Sequence, residues 1–161
     1  MFFIIGVALL LEVPSHGMKI SSSAFSDGQS IPAKYTCDGG DTSPPLALAS
    51  IPAGAKSLAL VVDDPDAPGG TFDHWIVWNI PIGTTTVAEG QSPKGIAGRN
   101  GFGKSGYGGP CPPSGEHRYF SKLYALDTTL NLQPSSRKAD LEKAMKGHIL
   151  AEAQMMGRYR R

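Results

Sequence analysis

The chain has 161 residues, enough for one domain with a hydrophobic core. Its 15 Lys and Arg nearly balance 14 Asp and Glu, leaving a formal charge of +1, and the basic residues cluster only at Arg158, Arg160 and Arg161. That balance excludes the basic face that a nucleic-acid-binding protein needs, while 20 glycines and 13 prolines favour short strands joined by turns over a helical bundle.

Residues 1–17 differ in composition from the rest. Phe2–Leu11 is an apolar run broken only by Gly6. It is too short for an integral membrane span, which takes about 20 apolar residues. Its length suits the apolar region of an export signal, with Ser15 and Gly17 as the small residues before a cleavage site. A positively charged start is missing and Glu12 follows the run. The other reading is upstream sequence ahead of a start at Met18. The expected organisation is a signal peptide or upstream segment over 1–17 and a domain over 18–161. The protein is periplasmic or secreted in the first case and cytoplasmic in the second.

From Met18 onward the pattern is that of a β-protein. Lys19–Phe25 is a Ser-rich strand candidate, and Asp27-Gly28 marks a turn. Ile31–Asp41 is irregular. Leu46–Ser50 reads as a short strand closed by Pro52-Ala53-Gly54. Lys56–Asp63 is the clearest strand: Leu58, Leu60 and Val62 share one face, Ala59 and Val61 the other. Both sets are apolar, which predicts burial on both sides. Asp73–Ile80 is a second core strand, with His74, Ile76 and Trp78 on one face and Trp75 and Val77 on the other. Residues 83–115 form a long Gly-rich tract in which Phe102 and Tyr107 predict an ordered loop. His117–Asp127 is a third strong strand. Lys138–Lys146 predicts a helix, with a Leu141, Ala144, Met145 stripe, Asp140 in its first turn and Gly147 at its end. Alternation over Ala151, Ala153 and Met155 predicts a final strand.

Chemistry concentrates where the clearest strand ends. Val62-Asp63-Asp64-Pro65-Asp66-Ala67-Pro68 carries carboxylates onto a turn that Pro65 and Pro68 stiffen, with His74 and His117 further on. Such groups suggest a small polar pocket, although Asp-Pro is also ordinary turn chemistry. Cys37 and Cys111 lie in no Cys-x-x-Cys motif and have no ligand neighbour at zinc spacing. They are two free thiols or one bridge. Their irregular Gly/Pro-rich surroundings suggest proximity, and export would allow a disulfide. His148 follows the predicted helix, where a dipole partner is the plain reading.

Together, Asp64-Pro65-Asp66-Ala67-Pro68, His74 opening an aromatic strand, Gly108-Gly109-Pro110-Cys111-Pro112-Pro113 and His117-Arg118-Tyr119 resemble the phosphatidylethanolamine-binding protein family, also called Raf kinase inhibitor-like proteins. Tyr35-Thr36-Cys37-Asp38-Gly39, Ser43-Pro44-Pro45-Leu46 and Gly147-His148-Ile149-Leu150-Ala151 resemble its bacterial and archaeal branch. The resemblance implies a mainly β fold, a two-sheet antiparallel β-sandwich with a helix near the C-terminus. It also implies a pocket for phosphate, a carboxylate or a phospholipid head group, lined by Asp64, Asp66, Pro68, Phe72, His74, Gly108, Pro110, His117 and Tyr119.

The function so implied is a non-enzymatic regulator or inhibitor of a kinase or protease, monomeric or homodimeric, without a cofactor. Aspartates beside His74 or His117 would favour imidazolium, and backbone N–H groups of Gly106–Gly109 would add an anion nest. Arg118 would face away and brace a carboxylate or the loop. The alternative is a hydrolase: either a metal held by Asp64, Asp66, His74 and His117, or a thiol set of Cys111, His117 and Asp66.

Overall fold

The computed structural model describes residues 17–161, so the export-signal reading of 1–17 falls almost wholly outside the described residues. Two antiparallel sheets face each other. The smaller has the order β1-β2-β5, from Lys19–Ser21 (β1), Leu46–Ala49 (β2) and Thr86–Val87 (β5). The larger has the order β6-β4-β3-β7-β8. Its strands are Ser57–Asp64 (β3), Phe72–Ile80 (β4), Ile96–Ala97 (β6), Glu116–Leu126 (β7) and Ile149–Arg160 (β8). One α-helix, Lys138–Met145 (α1), precedes β8. This is the two-sheet architecture with a late helix expected from the sequence.

The doubly apolar β3 is the middle strand of the larger sheet, and all eight of its residues are buried. Leu58, Leu60 and Val62 enter the core between the sheets, with Ile20, Leu46 and Leu48 opposite. Ala59 and Val61 enter a second core on the outer face, roofed by Leu141 and Met145 of α1. The helix buries its predicted stripe there. The Arg137 backbone N–H is taken by Asp140 at 2.9 Å, and Gly147 leaves the helix at φ +82°, a conformation glycine adopts without penalty.

The first strand is shorter than its pattern. It stops at Ser21 because the Ser22 hydroxyl accepts the Ala24 N–H at 3.1 Å, a local bond that competes with a ladder. The chain then turns at Asp27-Gly28 and runs beside the outer edge of β8. Gly28 N–H donates to Met156 O, Ile31 N–H to Arg158 O, and Arg158 N–H to Gln29 O.

The long tract 83–115 holds only the two-residue strands β5 and β6, yet side chains organise it. Buried Asn100 accepts the N–H groups of Phe102 and Lys104 and donates to Gly106 O. Tyr107 packs on Trp75 and donates to Tyr35 O at 2.6 Å. A Cys37–Cys111 disulfide, with Cα atoms 5.4 Å apart, ties the end of this tract to the segment after β1. The predicted proximity is thus met as a bridge.

The disulfide closes a separation of 74 residues. Replacing both cysteines by serine should cost about 2–4 kcal/mol in urea unfolding. The far-UV spectrum should stay unchanged, because no strand depends on the bond.

Candidate functional site

Strand β3 ends in two adjacent carboxylates that alternation sends to opposite faces. Asp63 turns outward to Lys122 Nζ at 3.0 Å and Lys138 Nζ at 3.3 Å. Asp64 turns inward and accepts from His117 Nδ1 at 2.7 Å, with both side chains buried. A carboxylate has no proton to give, so Nδ1 is the donor, and Nε2 is the nitrogen His117 can offer a ligand.

His74 departs from the expected face. Val62 pairs with Trp75 and Asp63 with Asp73, so His74 is an extra residue on β4. This β-bulge puts His74 beside Trp75, Val62 and Tyr119, not on the outer face with Ile76 and Trp78. Simple alternation cannot register an inserted residue. A second shift between Leu58 and Leu60 accompanies Asn79, at φ +54°, and returns Ile80 to the inner core.

His74 Nδ1 bonds the Gly108 carbonyl at 2.7 Å, so Nδ1 carries the proton and Nε2 is an acceptor in the neutral ring. Burial pushes the His74 pKa below its ordinary value, with the Gly108 carbonyl and Asp64 only partly opposing it. The expectation of a carboxylate-stabilised imidazolium at His74 is therefore corrected: desolvation wins.

The cavity these residues share has a volume of about 210 Å³. Asp64, Pro68, Phe72, His74, His117 and Tyr119 line it, six of the nine residues expected. Asp66 does not. Its carboxylate takes Arg118 Nε and Nη2 at 2.9 and 2.8 Å and the Arg118 N–H at 2.9 Å. The guanidinium holds Asp66 down at about pKa 2. Arg118 thus braces a carboxylate, as its position on β7 implied.

Gly108 contributes through its carbonyl, and Pro110 lines an inner apolar cavity of about 20 Å³, room for one water. The glycine anion nest is also corrected. Gly108 N–H donates to His74 O and Gly109 N–H to Asp41 Oδ1, while Gly106 N–H points to Gly98 O. These donors are spent on acceptors within the protein.

The sequence reading missed Ala67, Phe102, Pro112 and Pro113 in the wall, and Cys111, which it placed there only as a thiol, enters the wall as half of the disulfide. Phe102 is 47% exposed, yet its ring meets Phe72 edge-on at 4.8 Å and His74 at 5.7 Å. An aromatic residue between Gly101 and Gly103 was the available signal. A Cβ on Gly101 would strike the Phe72 ring, and one on Gly108 the Phe102 ring, so both glycines are packing surfaces.

Tyr119 completes the site. It is 3% exposed, and its hydroxyl has no aligned hydrogen-bond partner in the protein. Burial and the nearby Asp64 charge push its pKa upward, so it stays a phenol and a donor.

The hydrolase sets are not assembled. Cys111 sulfur is bound to Cys37, which removes the thiol nucleophile. Asp66 is turned away, and among the described residues no group of three or more His, Cys, Asp or Glu is placed to hold a metal. His148, just past the end of α1, also pairs its Nδ1 with Asp127 Oδ1 at 2.7 Å.

Comparison with known proteins gives a consistent result. A family model described as phosphatidylethanolamine-binding protein matches residues 21–160. A UPF0098 protein of Methanothermobacter thermautotrophicus is 51% identical over 150 residues, 89% of this chain and 99% of the relative. One from Pyrococcus abyssi is 48% identical over 99% of this chain and 94% of its own. The crystal structure of CT736, a phosphatidylethanolamine-binding protein homologue of Chlamydia trachomatis, has a TM-score of 0.88 and 43% identity, covering 91% of this chain and 99% of CT736. Escherichia coli YbcL, described as a member of the mammalian family, has a TM-score of 0.84 and 33% identity, covering 89% and 98%.

The neutral His74 generates a stability test. The unfolded ring takes up a proton near pH 6.5 that the folded ring refuses until lower pH. Its contribution is complete above that value and is lost as pH falls towards the folded pKa. The melting advantage of wild type over His74→Gln should therefore be largest near about pH 7.5 and shrink towards about pH 5.5. A constant difference would contradict a buried neutral imidazole.

Proposed function

The chain belongs to the phosphatidylethanolamine-binding protein family, and on that premise we propose that it binds a small, protonated phosphoryl or carboxyl group. The observation that carries the reading is Tyr119: a buried phenol beside Asp64 whose hydroxyl makes no aligned hydrogen bond, in the wall that also holds the Asp64–His117 pair. A buried polar hydrogen without a well-formed bond is costly, so the site is complementary to a better-placed acceptor oxygen. Asp64 and His74 Nε2 are acceptors, so the same ligand gains by presenting an O–H as well. A phosphomonoester or phosphate retaining one proton offers both. No lysine or arginine lines the cavity, which favours one negative charge over two.

In this reading the protein is a regulator of a kinase or protease that presents such a group, or of a lipid head group's availability, and catalyses no reaction. Aromatic walls of Phe72 and Phe102 exclude water beside the polar floor. The disulfide supports an oxidising compartment, periplasmic or extracellular.

Phosphate and sulfate separate this reading from simple anion attraction. Both are tetrahedral anions, but at neutral pH only phosphate keeps a proton for Asp64 or His74. Calorimetry should show phosphate binding at least about tenfold more tightly than sulfate. Tyr119→Phe should weaken phosphate by about tenfold while the fold survives, because only the hydroxyl is lost. Equal affinity for the two anions would refute the protonated-ligand reading.

A further inference from the structure

We propose that Lys138 is a positioning residue for the pocket: its ammonium group, clamped between Asp63 and Asp73 on the far face of the larger sheet, holds the bulge that turns His74 inward. Asp63 and Asp73 stand directly opposite each other across β3 and β4. Like charges in that register repel. Lys138, the first residue of α1, places Nζ 3.3 Å from Asp63 Oδ2 and 2.8 Å from Asp73 Oδ1. The second is an ion-pair contact without hydrogen-bond alignment. Lys122 serves Asp63 alone, at 3.0 Å, so among the described residues Asp73 has Lys138 as its one ion-pair partner.

The Lys138 side chain is 16% exposed and that of Asp63 3%. Burial opposes the Lys138 charge, but the Asp73 and Asp63 carboxylates outweigh it and raise its pKa. Glu142, one turn along α1, adds a weaker pairing at 3.9 Å.

The two carboxylates are chain neighbours of the two pocket groups. Asp63 precedes Asp64, and Asp73 precedes His74. Without the cation, their repulsion is relieved by separating β3 from β4 where His74 is the inserted residue. Restoring regular alternation there would carry the imidazole to the far face. The same corner also meets the other wall. Arg99 N–H donates to Ser136 O at 2.9 Å, and Arg137 Nη1 reaches Asn100 O at 3.5 Å. Asn100 in turn shapes the turn that carries Phe102.

The inference rests on the phosphoryl reading only for its affinity measurement; the placement of His74 is read separately. Imidazole nitrogen–proton NMR reports the Nδ1–H donated to Gly108, and calorimetry reports inorganic phosphate. In Lys138→Met the His74 Nδ1–H resonance should shift or broaden, and phosphate should bind about tenfold more weakly. Lys138→Arg should preserve both. Adding Asp73→Asn to Lys138→Met removes the repulsion, and should restore the resonance and bring affinity within about twofold of wild type.

A Lys138→Met protein with the wild-type resonance overturns the proposal, as does a double variant no better than the single. If Lys138→Met alone does not fold, the double variant decides: folded with the wild-type resonance it supports the clamp, unfolded it overturns it. A wild-type protein whose resonance depends on Lys138 but which binds no phosphate upholds the clamp and refutes the anion reading.

Discussion

A strand buried on both faces that ends in two consecutive carboxylates must match two charges in two directions, and the rest of this molecule is arranged around that requirement. Alternation along β3 sends Asp63 outward and Asp64 inward. Both are almost fully buried, so neither can rely on water. Outward, lysines from β7 and α1 supply the counter-charge. Inward, His117 and the Asp66 N–H supply hydrogen bonds. Removing one partner of such a pair strands a buried charge, typically at a cost of about 3–5 kcal/mol. Pro65 and the Asp66–Arg118 pair then fix the turn, so the carboxylate geometry is settled before any ligand arrives.

Much of this was legible in the chain. The double face of Leu58–Val62, the stripe of Leu141 and Met145, and the alternation of Ala151 and Met155 each state a burial pattern that local geometry reproduces. The pocket was legible as a set of residue types, since Asp64, Pro68, Phe72, His74, His117 and Tyr119 converge. What failed was what depends on register or on the loop's own bonding. The face of His74 is decided by one inserted residue, visible only once Val62 and Asp63 have partners. In the sequence the glycine donors look free, but Asp41 and His74 O consume two of them. In sequence Asp66 is indistinguishable from Asp64; two residues further along, past a proline, its carboxylate meets a guanidinium instead of an imidazole.

The polarity of the cavity follows from these same departures. With loop amides engaged and Asp66 withdrawn, the polar groups that face the cavity come from side chains: a phenol donor, a carboxylate and two imidazoles, beside a ring of aromatic carbon. Pro112 and Pro113 have no N–H to add. Changing Phe72 or Phe102 alters the room available, whereas changing Tyr119 or Asp64 alters the polar groups the cavity presents.

The segment beside β8 bears on how a partner could approach. Many recognition domains capture a peptide by adding it as a further strand along an open sheet edge. Here the backbone of residues 28–31 already occupies that edge at Met156 and Arg158. Strand addition is closed there, and the native chain acts as its own gatekeeper against edge-to-edge association. Any docking at that stretch would meet side chains and a finished backbone, so it would rest on surface shape and charge, not on peptide backbone pairing.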